Sequence, residues 1–202
     1  MKVLLIILIF LFNLFNWGIV AQVEISQNYQ LHSRQQQKNA MHILGGWSLV
    51  NITSGAIGFY TQEGESRYFH QMNAGWNIVN LGLAGIGLFQ LNREQQGFSN
   101  AYELIQNQQG LEKVLLVNGA LNFAYMTAGV ALRNYAFRDL DNYHRWTGFG
   151  NSLILQGGFL AVFDFANYFI HRKRAKTYLH PYLKDIHILP TANGIGMTYQ
   201  LN

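Results

Sequence analysis

A chain of 202 residues has room for one domain and a tail. Half of its residues are hydrophobic, only 12% are charged, and there is no cysteine, which excludes disulfides, thiolate chemistry and cysteine-ligated metals. The formal charge of +4 is local: five of the fourteen Lys and Arg residues lie between Arg172 and Lys184, and a basic segment beside an apolar helix suits lipid headgroups better than nucleic acid.

Residues 1–21 open with Lys2 and continue through the apolar run Val3–Phe12 to a small residue, Ala21. This reads as a secretory signal peptide, with an uncleaved anchor as the alternative. Residues 22–40 are polar and glutamine-rich (Gln35, Gln36, Gln37) and read as an arm leading into the first span.

Four apolar segments follow, at about 42–60, 74–91, 114–132 and 148–170. Each is near the ~20 residues needed to cross a bilayer. None contains proline, and glycine is frequent, as in membrane helices. Within their interiors the one Asp, Glu, Lys or Arg is Asp164, whereas an amphipathic soluble helix needs a charged face. The expected fold is therefore an all-α membrane protein, a four-helix transmembrane bundle over 41–171. A basic stretch begins the tail, 172–202, which ends in a short β-hairpin: Asn193-Gly194 precedes alternating Ile195, Met197, Tyr199 and Leu201.

The segment Trp47–Gly58 returns twenty-nine residues later as Trp76–Gly87, with Trp, Val, Asn, Ile and the last Gly in register. A fainter third copy keeps Asn122 and Gly129. On a helix the repeated face is Trp47, Asn51, Gly55 and Gly58, then Trp76, Asn80, Ala84 and Gly87, then Asn118, Asn122, Met126 and Gly129. Small residues let helices approach, and intramembrane amides bond between helices. Asn51, Asn80 and Asn122 sit near the middles of their spans and are expected to share a layer, joined by Gln156 and Asp164.

Two readings of that layer stay open. It is interhelical glue in a non-enzymatic structural or interaction protein, or it lines a polar cavity for a small solute, an ion or a proton, with Asp164 the chief candidate. A third reading, a membrane-embedded haem or metal protein, draws on seven histidines. His70 and His144 precede the second and fourth spans on one membrane side, but no histidine pair has the spacing of a helical zinc site. No catalytic motif, cofactor or metal site is implied. Tyr60, Tyr68, Phe69, Tyr143, Trp146, Tyr168 and Phe169 sit at segment ends, as an aromatic belt does.

The expected partners are the bilayer and, at Arg172, Lys173, Arg174 and Lys176, anionic headgroups. The expected location is the bacterial inner membrane, as a multi-pass protein. Orientation is left open. Export of Gln22 places nine cations outside and four inside, the reverse of the positive-inside rule.

Tyr68–Gly87, Leu111–Leu132 and Gly148–Asp164 together resemble a family of uncharacterised small bacterial integral membrane proteins with four spans. The resemblance covers about Met41–Tyr168. It rests on His-Gln-Met-Asn before the second helix, Leu-Glu-Lys opening the third, and Gln-Gly and Phe-Asp in the fourth. It implies the fold and carries no activity. The family pattern has an aspartate where this chain has Asn122, which weakens a proton-relay role for the layer.

Overall fold

The structure is a computed structural model that describes residues 2–93, 101–179, 186–191 and 194–199, with side chains over 27–93 and 103–179. Four helices form it: α1 (Lys2–Thr61), α2 (Gly64–Arg93), α3 (Ala101–Ala136) and α4 (Tyr143–Tyr178). The 3-10 turn Leu140–Asn142 precedes α4.

The helices outlast the apolar runs that predict them. Polar flanks continue the helix wherever they also find something to pack against. Residues 22–40, expected as an arm, are part of α1. Tyr29, Ser33, Gln36 and Ala40 are buried at helical spacing and continue the stripe of Leu44, Ser48 and Asn51. Arg172, Lys173, Arg174 and Lys176 likewise belong to the last turns of α4 and not to a tail.

A tight hairpin joins α1 to α2. Gln62 N–H donates to Gly58 O at 2.9 Å, and Gly64 reverses the chain at φ +57°, a conformation that costs L-residues ~1–2 kcal/mol. Between α3 and α4, Asp139 holds the turn. Its carboxylate accepts from Asn142 N–H at 3.3 Å and from Trp146 Nε1 at 2.9 Å.

In the packing, α1 lies on α2, α2 on α4, and α3 on α4. The α3/α4 contact is a close backbone approach. A Cβ at Gly129 would stand 2.6 Å from Gly150 O, and one at Gly157 would stand 2.7 Å from Asn122 O.

Polarity is inverted relative to a water-soluble bundle. Ser48, Asn51, Asn73, Asn77, Asn80, Asn122, Ser152 and Gln156 are buried, whereas Val50, Ile57, Val79, Phe89 and Val162 are exposed. Among the described residues, three helices, α2, α3 and α4, are long and apolar enough to cross a membrane. The first expected span is not among them, because Ser48, Asn51, Thr53 and Ser54 dilute its hydropathy. Two six-residue strands, β1 (Ile186–Thr191) and β2 (Gly194–Tyr199), pair antiparallel from Ile186↔Tyr199 to Thr191↔Gly194. The turn residue Asn193, and Leu201 of the expected alternation, lie outside the described residues.

Candidate functional site: stacked polar stations

The interior polar groups fall into three stations along the bundle. The first joins α1, α2 and α4. On α2, Asn73, Asn77 and Asn80 follow one another at i, i+4 and i+7 and form one buried face with Ala84. Asn73 Nδ2 donates to Asn51 Oδ1 at 2.7 Å. Gln156 Nε2 donates to Asn73 Oδ1. Trp47 Nε1 donates to Gln156 Oε1 at 3.0 Å, and Asn51 Nδ2 donates to Trp47 O at 2.8 Å. The four bonds close a ring that begins and ends on Trp47. The Trp47 indole also stacks on Phe159, with centroids 3.8 Å apart and planes 4° from parallel. Gln156 is 1% exposed and Asn73 2%, so water does not compete for these bonds.

The second station joins α3 to α4. Asn122 Nδ2 donates to Asp164 Oδ2 at 2.7 Å, and both residues are buried. Asp164 lies eight residues beyond Gln156, and Asn80 seven beyond Asn73, so this level is about 11 Å from the ring. Asn80 Nδ2 and Asn77 Oδ1 are buried with no hydrogen-bond partner.

The third station lies outside the expected spans, where the middle of α1, from Tyr29 to Arg34, meets α3 and α4. Tyr29 donates its hydroxyl to Gln108 Oε1. Gln108 Nε2 donates to Glu112 Oε1 at 2.8 Å and to His171 O at 3.3 Å. Burial pushes the Tyr29 phenol up to about 12. Arg34 Nε donates to Leu91 O at 2.7 Å, and Arg174 donates to His32 O. These bonds tie the polar half of α1 down.

Several expected site residues are placed differently. Asn118 is exposed and joins no layer. Gln108, Asn122, Gly129 and Ala136 are buried at multiples of seven, and Asn118 falls beside that narrow line. Nor do Asn51, Asn80 and Asn122 share one level. The α1/α2 register sets Gly55 against Ala74 and Gly45 against Ala84, which brings Asn51 to Asn73 instead of Asn80.

The two tryptophans serve different neighbours. Trp76 meets Tyr125 of α3 edge-on at 4.9 Å, and its Nε1 is buried without a partner. The glycines of the face do lie at helix contacts: Gly55 and Gly58 against His70, Gly87 against Met41, and Gly129 against Gly150. His70 is half-buried and its Nδ1 has no partner, whereas His144 is exposed. Among the described residues, no three His, Cys, Asp or Glu side chains could together hold a metal ion. Of the four cations expected at headgroups, Arg172 is also engaged within the chain, donating to Tyr168 Oη and lying over that ring at 5.6 Å.

Asn73, Asn77, Gln108, His171 and Tyr29 were not singled out by sequence. The 73/77/80 spacing carried the signal for the first two. Tyr29 and Gln108 lie in polar flanks that read as solvated.

A match to the family of unknown function DUF6992 spans residues 43–165. The chain belongs to that family. The DUF6992 region takes in the whole ring and the Asn122–Asp164 pair and leaves out Tyr29 and His171. No curated protein and no solved structure matches the chain.

Proposed function

We propose that this is a multi-pass protein of the bacterial inner membrane with a structural or interaction role and no enzymatic one. The supporting observation is the closed ring of Trp47, Gln156, Asn73 and Asn51, whose side chains spend their bonds on each other across three helices. Groups so engaged hold helices together and are not free to bind a solute. The exposed Ile43, Leu49, Val50 and Ile57 of α1 support counting it as a fourth span. Residues 1–21 fit as an export signal. With 42–60 in the bilayer, the unbroken α1 would hold Phe12 about 45 Å from His42, which favours removal of so apolar a run. Amino-terminal sequencing that does not begin at Gln22 would reject the cleavage.

Purified protein in liposomes loaded with a pH-sensitive dye tests the scaffold reading. No proton or ion flux above that of empty vesicles is expected. Flux abolished by Asp164→Asn, in a variant that stays folded, would replace the scaffold with a second reading: solute, ion or proton handling. That alternative draws on the unpartnered buried atoms of Asn80, by its spacing near the depth of Asp164, and of Asn77, one turn nearer the ring.

A further inference from the structure

Two pockets open on the α3/α4 seam. One, of about 230 Å³, is lined by Val130, Arg133, Asn134, Phe137, Tyr143 and Thr147. The other, of about 260 Å³, includes Gln109, Glu112, Arg172 and Lys176 in its wall. Each holds at least one cation. Thr147 is 6% exposed, and its Oγ1 has no hydrogen-bond partner, so the first pocket offers an unused hydroxyl beside a guanidinium.

The pockets share one side of the seam. Glu112 and Val130 are eighteen residues apart, about five helical turns, and so stand on the same face of α3. From Glu112 to Arg133 the rise is about 31 Å, close to the ~30 Å hydrocarbon thickness of a bilayer. Aromatic pairs mark both levels: Phe137 with Tyr143 at one, Tyr168 with Phe169 at the other. Between the pockets the face is apolar. Leu116, Phe123 and Val130 of α3 are exposed, and the rings of Phe123 and Phe165 meet at 6.1 Å about midway.

We infer that the α3/α4 seam binds one phospholipid from each leaflet. This rests on the membrane reading above, which carbonate extraction of membranes checks separately. At one end the phosphate meets Arg133, Asn134 and Thr147. At the other it meets Arg172 and Lys176, and there Glu112 stands ready for an ammonium, so this pocket favours an amine-bearing zwitterionic headgroup. The acyl chains run along Leu116 and Val130 toward Phe123 and Phe165. A free anion would need neither the bilayer-matched spacing nor the apolar path between the pockets.

Native mass spectrometry of the full chain, stripped of lipid in detergent, tests this. Phosphatidylethanolamine, phosphatidylglycerol and inorganic phosphate are added separately. Two retained lipids are expected. Arg133→Gln should weaken one site about fivefold, and Arg172→Gln with Lys176→Gln the other by more, at about fivefold per cation removed. Arg133→Lys should keep most of the binding, and Glu112→Gln should erase any preference for phosphatidylethanolamine. Circular dichroism confirms that each variant is folded, and a misfolded one is replaced by the Met substitution at the same position, which also removes the charge. Lipid binding unchanged in folded variants that have lost Arg133, or Arg172 with Lys176, to an uncharged residue would overturn the inference. So would inorganic phosphate displacing the lipid, which would indicate an adventitious anion site only.

Discussion

Two junctions in this bundle solve the same packing problem with different chemistry. Where α1, α2 and α4 meet, directional bonds between buried amides are added to close backbone approaches at Gly55 and Gly148. Where α3 meets α4, glycines bring the backbones together and one Asn122–Asp164 bond is added. In a bilayer, lipid is as apolar as leucine, so burying more leucine gains little. The two remaining means of holding helices are close van der Waals contact and hydrogen bonds; the first junction uses both and the second relies chiefly on contact. Both should be sensitive to gaining a methyl group, and the first should respond more to losing a polar atom.

Substitutions can break that contrast. Gly129→Val should have the largest effect, roughly 3 kcal/mol, the upper end for overpacking, because its Cβ meets the carbonyl of Gly150 and no side chain can move aside. Thermal unfolding in detergent measures it, and a loss below that of the amide variants would sink the distinction. Asn73→Leu should follow at about 2 kcal/mol, since two interhelical bonds go and Asn51 and Gln156 lose a partner. A double-mutant cycle between Asn51 and Asn73 should return a coupling of ~0.6–1.7 kcal/mol, and a value of zero would mean the ring is not cooperative.

Asn118→Leu should change stability by less than ~0.5 kcal/mol, because the residue is exposed. It therefore serves as the control for the third copy of the repeat. The smallest effect concerns the α3/α4 turn. The Trp146 indole beside Asp139, followed by Asn142, holds that carboxyl below the usual carboxylate range. Its contribution is present above the ordinary carboxylate pKa and is lost as pH falls through the lower folded value. Acid titrations of wild type and Asp139→Asn should begin to converge as pH falls below about 4 and meet once Asp139 is protonated in the folded protein. Curves that stay parallel would show that the contact adds nothing.

How much of this could be read from the residues depends on which physical signal each carried. Helix type and the apolar segments followed from hydropathy, and the glycines of the Trp-Asn-Gly face lie against neighbouring helices. Gln156 and Asp164 stood out because a polar residue in an apolar run is conspicuous. Asn73 did not, since it lies one residue before the second apolar run. Tyr29 and Gln36 lie in a stretch whose average polarity hides its buried stripe. Register was the other unknown. Whether Asn51 meets Asn73 or Asn80 depends on a turn of a few residues around Gly64, and periodicity within one helix says nothing about its offset from the next.

The ring around Trp47 is also a one-way circuit. Its first member, an indole N–H, can only donate, and its last, a backbone carbonyl, can only accept. The three amides between them therefore have no freedom to flip in concert, and each is fixed as to which end is oxygen. Replacing Asn51 by aspartate would keep its bond from Asn73 and lose the one to the Trp47 carbonyl. At Gln156, glutamate would keep the indole and drop Asn73. Substitutions alike in shape thus sever the loop at different, predictable links.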